Sequence, residues 1–168
     1  MKAFDRALLR FNRWAIIAVL AAMAVIVFAN VALRFLTDAS ILWAEEVSRY
    51  LMIWLAFLGA GPVLRYGGHI GIDTLQESFP RAAPALRTIV FALLLGFFVF
   101  MVWIGIRYAS RTWAQTTPIT EVPIGFVYLA MPIGFGLLIV HLLLMARGWI
   151  GNGEFLKDEE FDPEAAKL

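Results

Sequence analysis

The chain has 168 residues, 61% of them hydrophobic and 16% charged, with a mean hydropathy of +0.78, which excludes an ordinary soluble domain and marks an integral membrane protein. A formal net charge of +1 offers no basic surface for nucleic acid. The lack of cysteine removes disulfides, thiolate metal sites and a cysteine nucleophile.

Residues 1–13 read as a basic N-terminus and residues 14–35 as the first span. The twenty residues between Arg13 and Arg34 carry one strongly polar side chain, Asn30, and would form a helix of about 30 Å, one hydrocarbon thickness. Such a length, with three further spans behind it, predicts a retained helix rather than a cleaved signal. Ala18, Ala21, Ala22, Ala29 and Ala32 share one face within about 100°, as expected of a helix built to pack against another. Asn30 is expected to bond across to a neighbouring helix.

The second span is assigned to residues 42–64. Between Arg49 and Arg65 the uncharged run is fifteen residues, about 22 Å as helix and too short to cross, so the helix must begin near Leu42 and include Glu45, Glu46 and Arg49. The loop that follows carries Ile72, Leu75 and Phe79 between a glycine pair and Pro80; a short helix lying on the membrane surface and a solvated loop both fit. Residues 88–106 and 122–146 form the third and fourth spans, with Pro132 inside the fourth expected to kink it or free a carbonyl. After residue 150 comes an acidic tail containing Asp158, Glu159, Glu160, Asp162 and Glu164. Alternation of the β-barrel kind is absent. The fold class is therefore all-α, a four-span membrane domain over residues 14–150.

An N-in, C-in topology places ten lysines and arginines inside and four outside, as the positive-inside rule favours. The entrance of span two then faces outward. On a wheel of 100° per residue, Trp43, Glu46, Tyr50, Trp54, Phe57 and Gly61 fall in a stripe about 80° wide. Glu45 and Arg49 fall on another face, continued by the small residues Ala56 and Ala60. Glu45 precedes Arg49 by four residues, the favourable order for an ion pair, and both glutamates sit where the helix dipole favours negative charge. A locally neutralised cap and a subunit contact are both open readings of this entrance.

His69 and His141 are the two histidines, and a haem held between them, as in membrane anchors of redox complexes, is the alternative reading. His141 lies about 9 Å up its helix from Arg147, so the depths of the pair match poorly. The middles of all four spans lack Asp, Glu, Lys and Arg, whereas a stand-alone transporter needs ionisable or unwound groups near the midplane. A small self-assembling exporter would need an embedded carboxylate, and the first span has none. An accessory subunit fits, with no catalytic or metal residue and no cofactor expected.

The order Trp43, Glu46, Arg49, Trp54, "FLGA" at Phe57 to Ala60, Arg65, His69 and Asp73 resembles the small membrane (Q) subunit of tripartite ATP-independent periplasmic (TRAP) transporters. "NVALRF", Asn30 to Phe35, looks like the family's ending of its first span, and "VPIGFVYLAMPIG", Val122 to Gly134, its fourth-span pattern. The likeness covers roughly Phe11 to Arg147. It implies a bacterial inner-membrane complex in which an extracytoplasmic substrate-binding protein delivers an organic acid and a large TRAP permease subunit moves it with a sodium gradient. By the same resemblance the small subunit packs against the large subunit's scaffold. Glu45, Glu46 and Arg49 are then candidates for contact with these partners or for a structural pair, with His69 and Asp73 ordering the loop.

Overall fold

The computed structural model describes residues 2–66 and 82–152. Their helices are α1 (Lys2–Thr37), α2 (Ala44–Arg65), α3 (Ala83–Arg111), α4 (Ile124–Tyr128) and α5 (Ala130–Asn152). α1, α2 and α3 are each long and apolar enough to cross a membrane, and α4 with α5 makes the fourth such segment, Ile124–Gly151. The fold is all-helical among the described residues. The loop with His69, Asp73 and the Ile72, Leu75, Phe79 pattern lies outside them, as does the acidic tail.

The helices outrun their apolar stretches. α1 has 36 residues, about 54 Å at 1.5 Å each, against a hydrocarbon core of about 30 Å. Hydropathy marks only the part that must avoid water, whereas backbone hydrogen bonding continues the helix into the headgroups. α2 begins at Ala44, so Glu45, Glu46 and Arg49 lie on its first turns, as the span-length deficit requires.

The fourth span breaks, but not at Pro132. Proline lacks an N–H and crowds the carbonyl four residues earlier, here that of Tyr128, and Tyr128 is where α4 ends. The chain turns at Leu129, whose N–H donates to Gly125 O at 2.9 Å, and helix resumes with Ile133 N–H donating to Leu129 O at 3.1 Å. Pro132 thus sits in the first turn of α5, where a missing N–H costs little.

The spans form an open row rather than a closed bundle. In space the order is α1, α2, α5, α3, each packing chiefly on its neighbour. The core lies along α5, where Leu138, Leu142, Met145 and Trp149 pack with Leu64 of α2 and Phe98 of α3. Phe135 joins the two sides, 5.9 Å from Phe57 and 5.7 Å from Phe98 between ring centroids. In lipid, association rests on such close contact and on polar bonds rather than on escape from water. α3 and α5 approach closely at Gly105, where an added Cβ would lie 2.8 Å from Pro132 Cδ and 3.1 Å from its backbone N. Neither atom can rotate away. Gly105→Ala is therefore expected to lower stability by about 1–3 kcal/mol, read as a drop in thermal unfolding temperature in detergent; an unchanged temperature would show the α3–α5 contact to be looser than described.

α1 stands at the edge of the row. No residue of its most apolar stretch is buried, against 39% of the corresponding stretch of the fourth span. The alanine face is not the one that meets α2: Ala18, Ala21 and Ala22 are exposed and Ala29 and Ala32 half-buried, while Leu8, Asn12, Ile16, Val19, Met23 and Ile26 are covered to varying degrees. Polar residues choose this face, because Asp5, Asn12 and Asn30 fall on the same side of α1 as the covered stripe and all three make bonds there. The Asn30 side chain accepts from the Ile41 N–H at 2.7 Å, closing the α1–α2 turn instead of reaching another helix.

Candidate functional site

Two polar anchors mark the two ends of α2. At its entrance the chain between α3 and α4 forms a tight hairpin. Thr117 N–H donates to Val122 O at 2.9 Å and Ile124 N–H to Gln115 O at 2.8 Å. Glu121, at φ +54°, occupies the left-handed region, uncommon for a residue with a long side chain. Glu46 caps this hairpin. Its Oε2 accepts the Ile119 N–H at 3.0 Å and its Oε1 the Thr120 N–H at 3.1 Å, and the Thr120 hydroxyl donates to Oε1 as well. Since Thr120 spends its proton on the carboxylate, Thr117 must donate across their 2.7 Å contact, and Thr117 Oγ1 in turn accepts the Val122 N–H at 3.1 Å. A single direction of donation runs from Val122 to Glu46. The carboxylate is thus used within the chain, buried at 7% exposure.

The wheel's two faces have different fates. Glu46, Tyr50, Trp54, Phe57 and Gly61 are buried or half-buried, so the aromatic stripe is the inward side of α2. Trp43 at its start is 44% exposed. Glu45, Arg49 and Ala56 lie toward the other side and are all exposed, with no ion pair joining Glu45 to Arg49 among the described residues. Beside Ala56 and Ala60 runs an apolar groove of about 360 Å³ between α2 and α3, walled by Phe57, Phe97, Phe98 and Phe135.

At the exit of α2, Arg65 is 2% exposed and faces two helices at once. Its Nη1 and Nη2 both donate to the Asp5 carboxylate of α1, the forked pairing that suits a guanidinium. Its Nε donates to Nδ1 of His141 on α5 at 3.2 Å. The neutral imidazole then carries its proton on Nε2, which lies 3.5 Å from the Asn12 side-chain amide. Asn12 Oδ1 has no partner as the amide stands, and turning the amide brings Oδ1 to face this proton and accept it. Gly61 makes the approach possible, because a Cβ there would stand 2.5 Å from His141 Cδ2 and 2.9 Å from Nε2.

This anchor overturns the haem reading. His141 is fully buried, one ring nitrogen accepts from Arg65, the other faces Asn12, and glycine covers the ring edge, so no side is open to iron. His69 lies outside the described residues. Of the residues singled out by sequence, Arg65 and Glu46 are each the centre of an anchor, but they stand at opposite ends of α2. Asp5, Asn12, Thr117 and Thr120 were not foreseen. The first two could have been suspected as polar residues seven apart on one face of an otherwise basic and apolar helix, and the threonines as hydroxyls crowded into one short connection.

Four apolar spans with no Asp, Glu, Lys or Arg in their middles, joined by internal polar anchors at the two ends of α2, define a multi-pass integral membrane protein. Residues 23–151 match the family described as tripartite ATP-independent periplasmic transporters, DctQ component, and the chain belongs to that family of TRAP small permease subunits. A TRAP transporter small permease protein of Haemophilus influenzae is 32% identical over 132 residues, 76% of this chain and 80% of that protein. The C4-dicarboxylate TRAP transporter small permease protein DctQ of Rhodobacter capsulatus is 32% identical over 127 residues, 71% of this chain and 54% of that protein. The isethionate TRAP transporter permease protein DctMQ of Oleidesulfovibrio alaskensis is 27% identical over 115 residues, 67% of this chain and 18% of that protein. The protein is accordingly a multi-pass component of the bacterial inner membrane.

Proposed function

We propose that this chain is the accessory membrane subunit of a TRAP-type transporter that takes up an organic acid with a sodium gradient. Its role is to pack against and support the scaffold of a large permease subunit, and its α2 entrance contributes to docking of the extracytoplasmic substrate-binding protein. The observation that carries this reading is the division of labour within the fold. Glu46, Arg65 and Asp5 are used in internal anchors at the ends of α2 and the middles of the spans carry no Asp, Glu, Lys or Arg, while apolar surface is left open along α1 and in the α2–α3 groove. The DctMQ relative, in which the matching part is 18% of the protein, supports a large permease as the occupant of that surface. Relatives named for C4-dicarboxylate, isethionate and ectoine fit a subunit that does not itself select the substrate.

The test separates stability from partnership. Glu45→Ala with Arg49→Ala removes two charges outside both anchors and should change stability by no more than about 0.5 kcal/mol. Ala56→Trp fills the groove from its open side. Both variants should fold, with Ala56→Trp losing co-purification with the large subunit and the charge variant lowering uptake. Undiminished co-purification and uptake in both would remove the accessory-subunit reading from these surfaces.

A further inference from the structure

We propose that the cleft between the N-terminal part of α1 and the exit of α2 is a binding site for an anionic phospholipid. The cleft has a volume of about 650 Å³, and its charged wall consists of Arg6, Arg10 and Arg13. Their spacing of four and then three residues puts all three on one face of α1, and all three are exposed.

The remaining walls decide the ligand. Leu9, Ile16, Ile17 and Pro62 are apolar, and Tyr66 closes the rim at the end of α2. The arginine face continues as Ile17, within the cleft wall and 43% exposed, and beyond the cleft as Leu20, 47% exposed. Charge therefore comes first along α1 and hydrocarbon follows, the order in which a phospholipid presents its phosphate and its chains. The three arginines span about 10 Å of helix axis, comparable with a headgroup layer about 5–8 Å deep on each side of the hydrocarbon. Guanidinium groups bind phosphate oxygens in pairs, and basic pockets between membrane helices suit acidic headgroups. Free phosphate would use the arginines but not Ile16, Ile17 or Leu20. An acidic peptide, including the tail with Asp158 to Glu164, would match the charge but not the apolar wall at span depth.

The experiment uses the full chain, purified in mild detergent and mixed with phosphatidylglycerol, cardiolipin or phosphatidylcholine, with bound lipid counted by native mass spectrometry. Phosphatidylglycerol or cardiolipin should be retained over phosphatidylcholine. Replacing one of the arginines by glutamine should weaken retention about fivefold, and replacing all three on the order of a hundredfold, from about 1 kcal/mol per basic residue at a membrane surface. Leu9→Trp fills the cleft and keeps every charge; it should weaken retention as well, which diffuse attraction would not. Arg107→Gln with Arg111→Gln, on α3, should leave it unchanged. Retention indifferent to the arginines, equal loss in the α3 variant, or release of the lipid preference on deleting residues 153–168 would each overturn the proposal.

Discussion

Arg65→Ala is expected to lower stability by about 3 kcal/mol, the lower end of the range for breaking a buried pair, because Asp5 keeps 27% of its side chain exposed while Arg65 has 3%. The loss has two parts. Asp5 is left without its forked partner, and His141 Nδ1, fully buried, is left without a donor. Arg65→Lys separates them, since an ammonium can still face Asp5 but cannot reproduce the fork and the Nε bond together; it should fall between alanine and wild type. A double-mutant cycle with Asp5→Asn should give a coupling of about 1–3 kcal/mol, as for residues sharing one network. Thermal unfolding in detergent is the measurement. Additive effects would mean that the two side chains stabilise the fold independently.

Glu46→Ala is expected to cost about 2–4 kcal/mol, because three donors of the α3–α4 hairpin lose a charged acceptor together and bonds to charged groups each contribute about 1.5–3 kcal/mol before water replaces part of the loss. The effect should be local as well as global. Amide exchange at Ile119 and Thr120 should accelerate well beyond that of the α5 core, because the carboxylate is what these N–H groups bond to. Glu46→Gln keeps one acceptor oxygen and sets an NH2 group against a donor, so it should recover less than half of the loss. Exchange at the two amides that stays at the wild-type rate would show that the hairpin holds itself.

Both anchors were only half legible in the sequence. The charged entrance stood out because fifteen uncharged residues cannot cross a bilayer, and that shortfall placed Glu45, Glu46 and Arg49 on the helix. The wheel separated Glu46 from Glu45, and the structure keeps them apart, one capping a hairpin and the other outside it. What periodicity could not supply was the partner, since Ile119 and Thr120 lie 73 and 74 residues away and their backbone amides leave no trace in composition. His141 was visible as an oddity, but its neighbours come from two other helices, so a ligand and a buried structural histidine read alike. The alanine face of α1 shows that a close approach is feasible but not which helix makes it, and within this chain α2 meets the polar face instead. The break at Tyr128 was displaced from Pro132 because proline disturbs the turn before it.

The exit anchor also imposes an order in time. His141 follows Arg65 by 76 residues, so at 5–20 residues per second a ribosome needs about 4–15 s to supply it. During that interval Asp5, already made, is the partner within the anchor that Arg65 can have, and Asn12 waits with it. The ion pair between the first two spans is thus available about 4–15 s before the residue of the last span that completes the set.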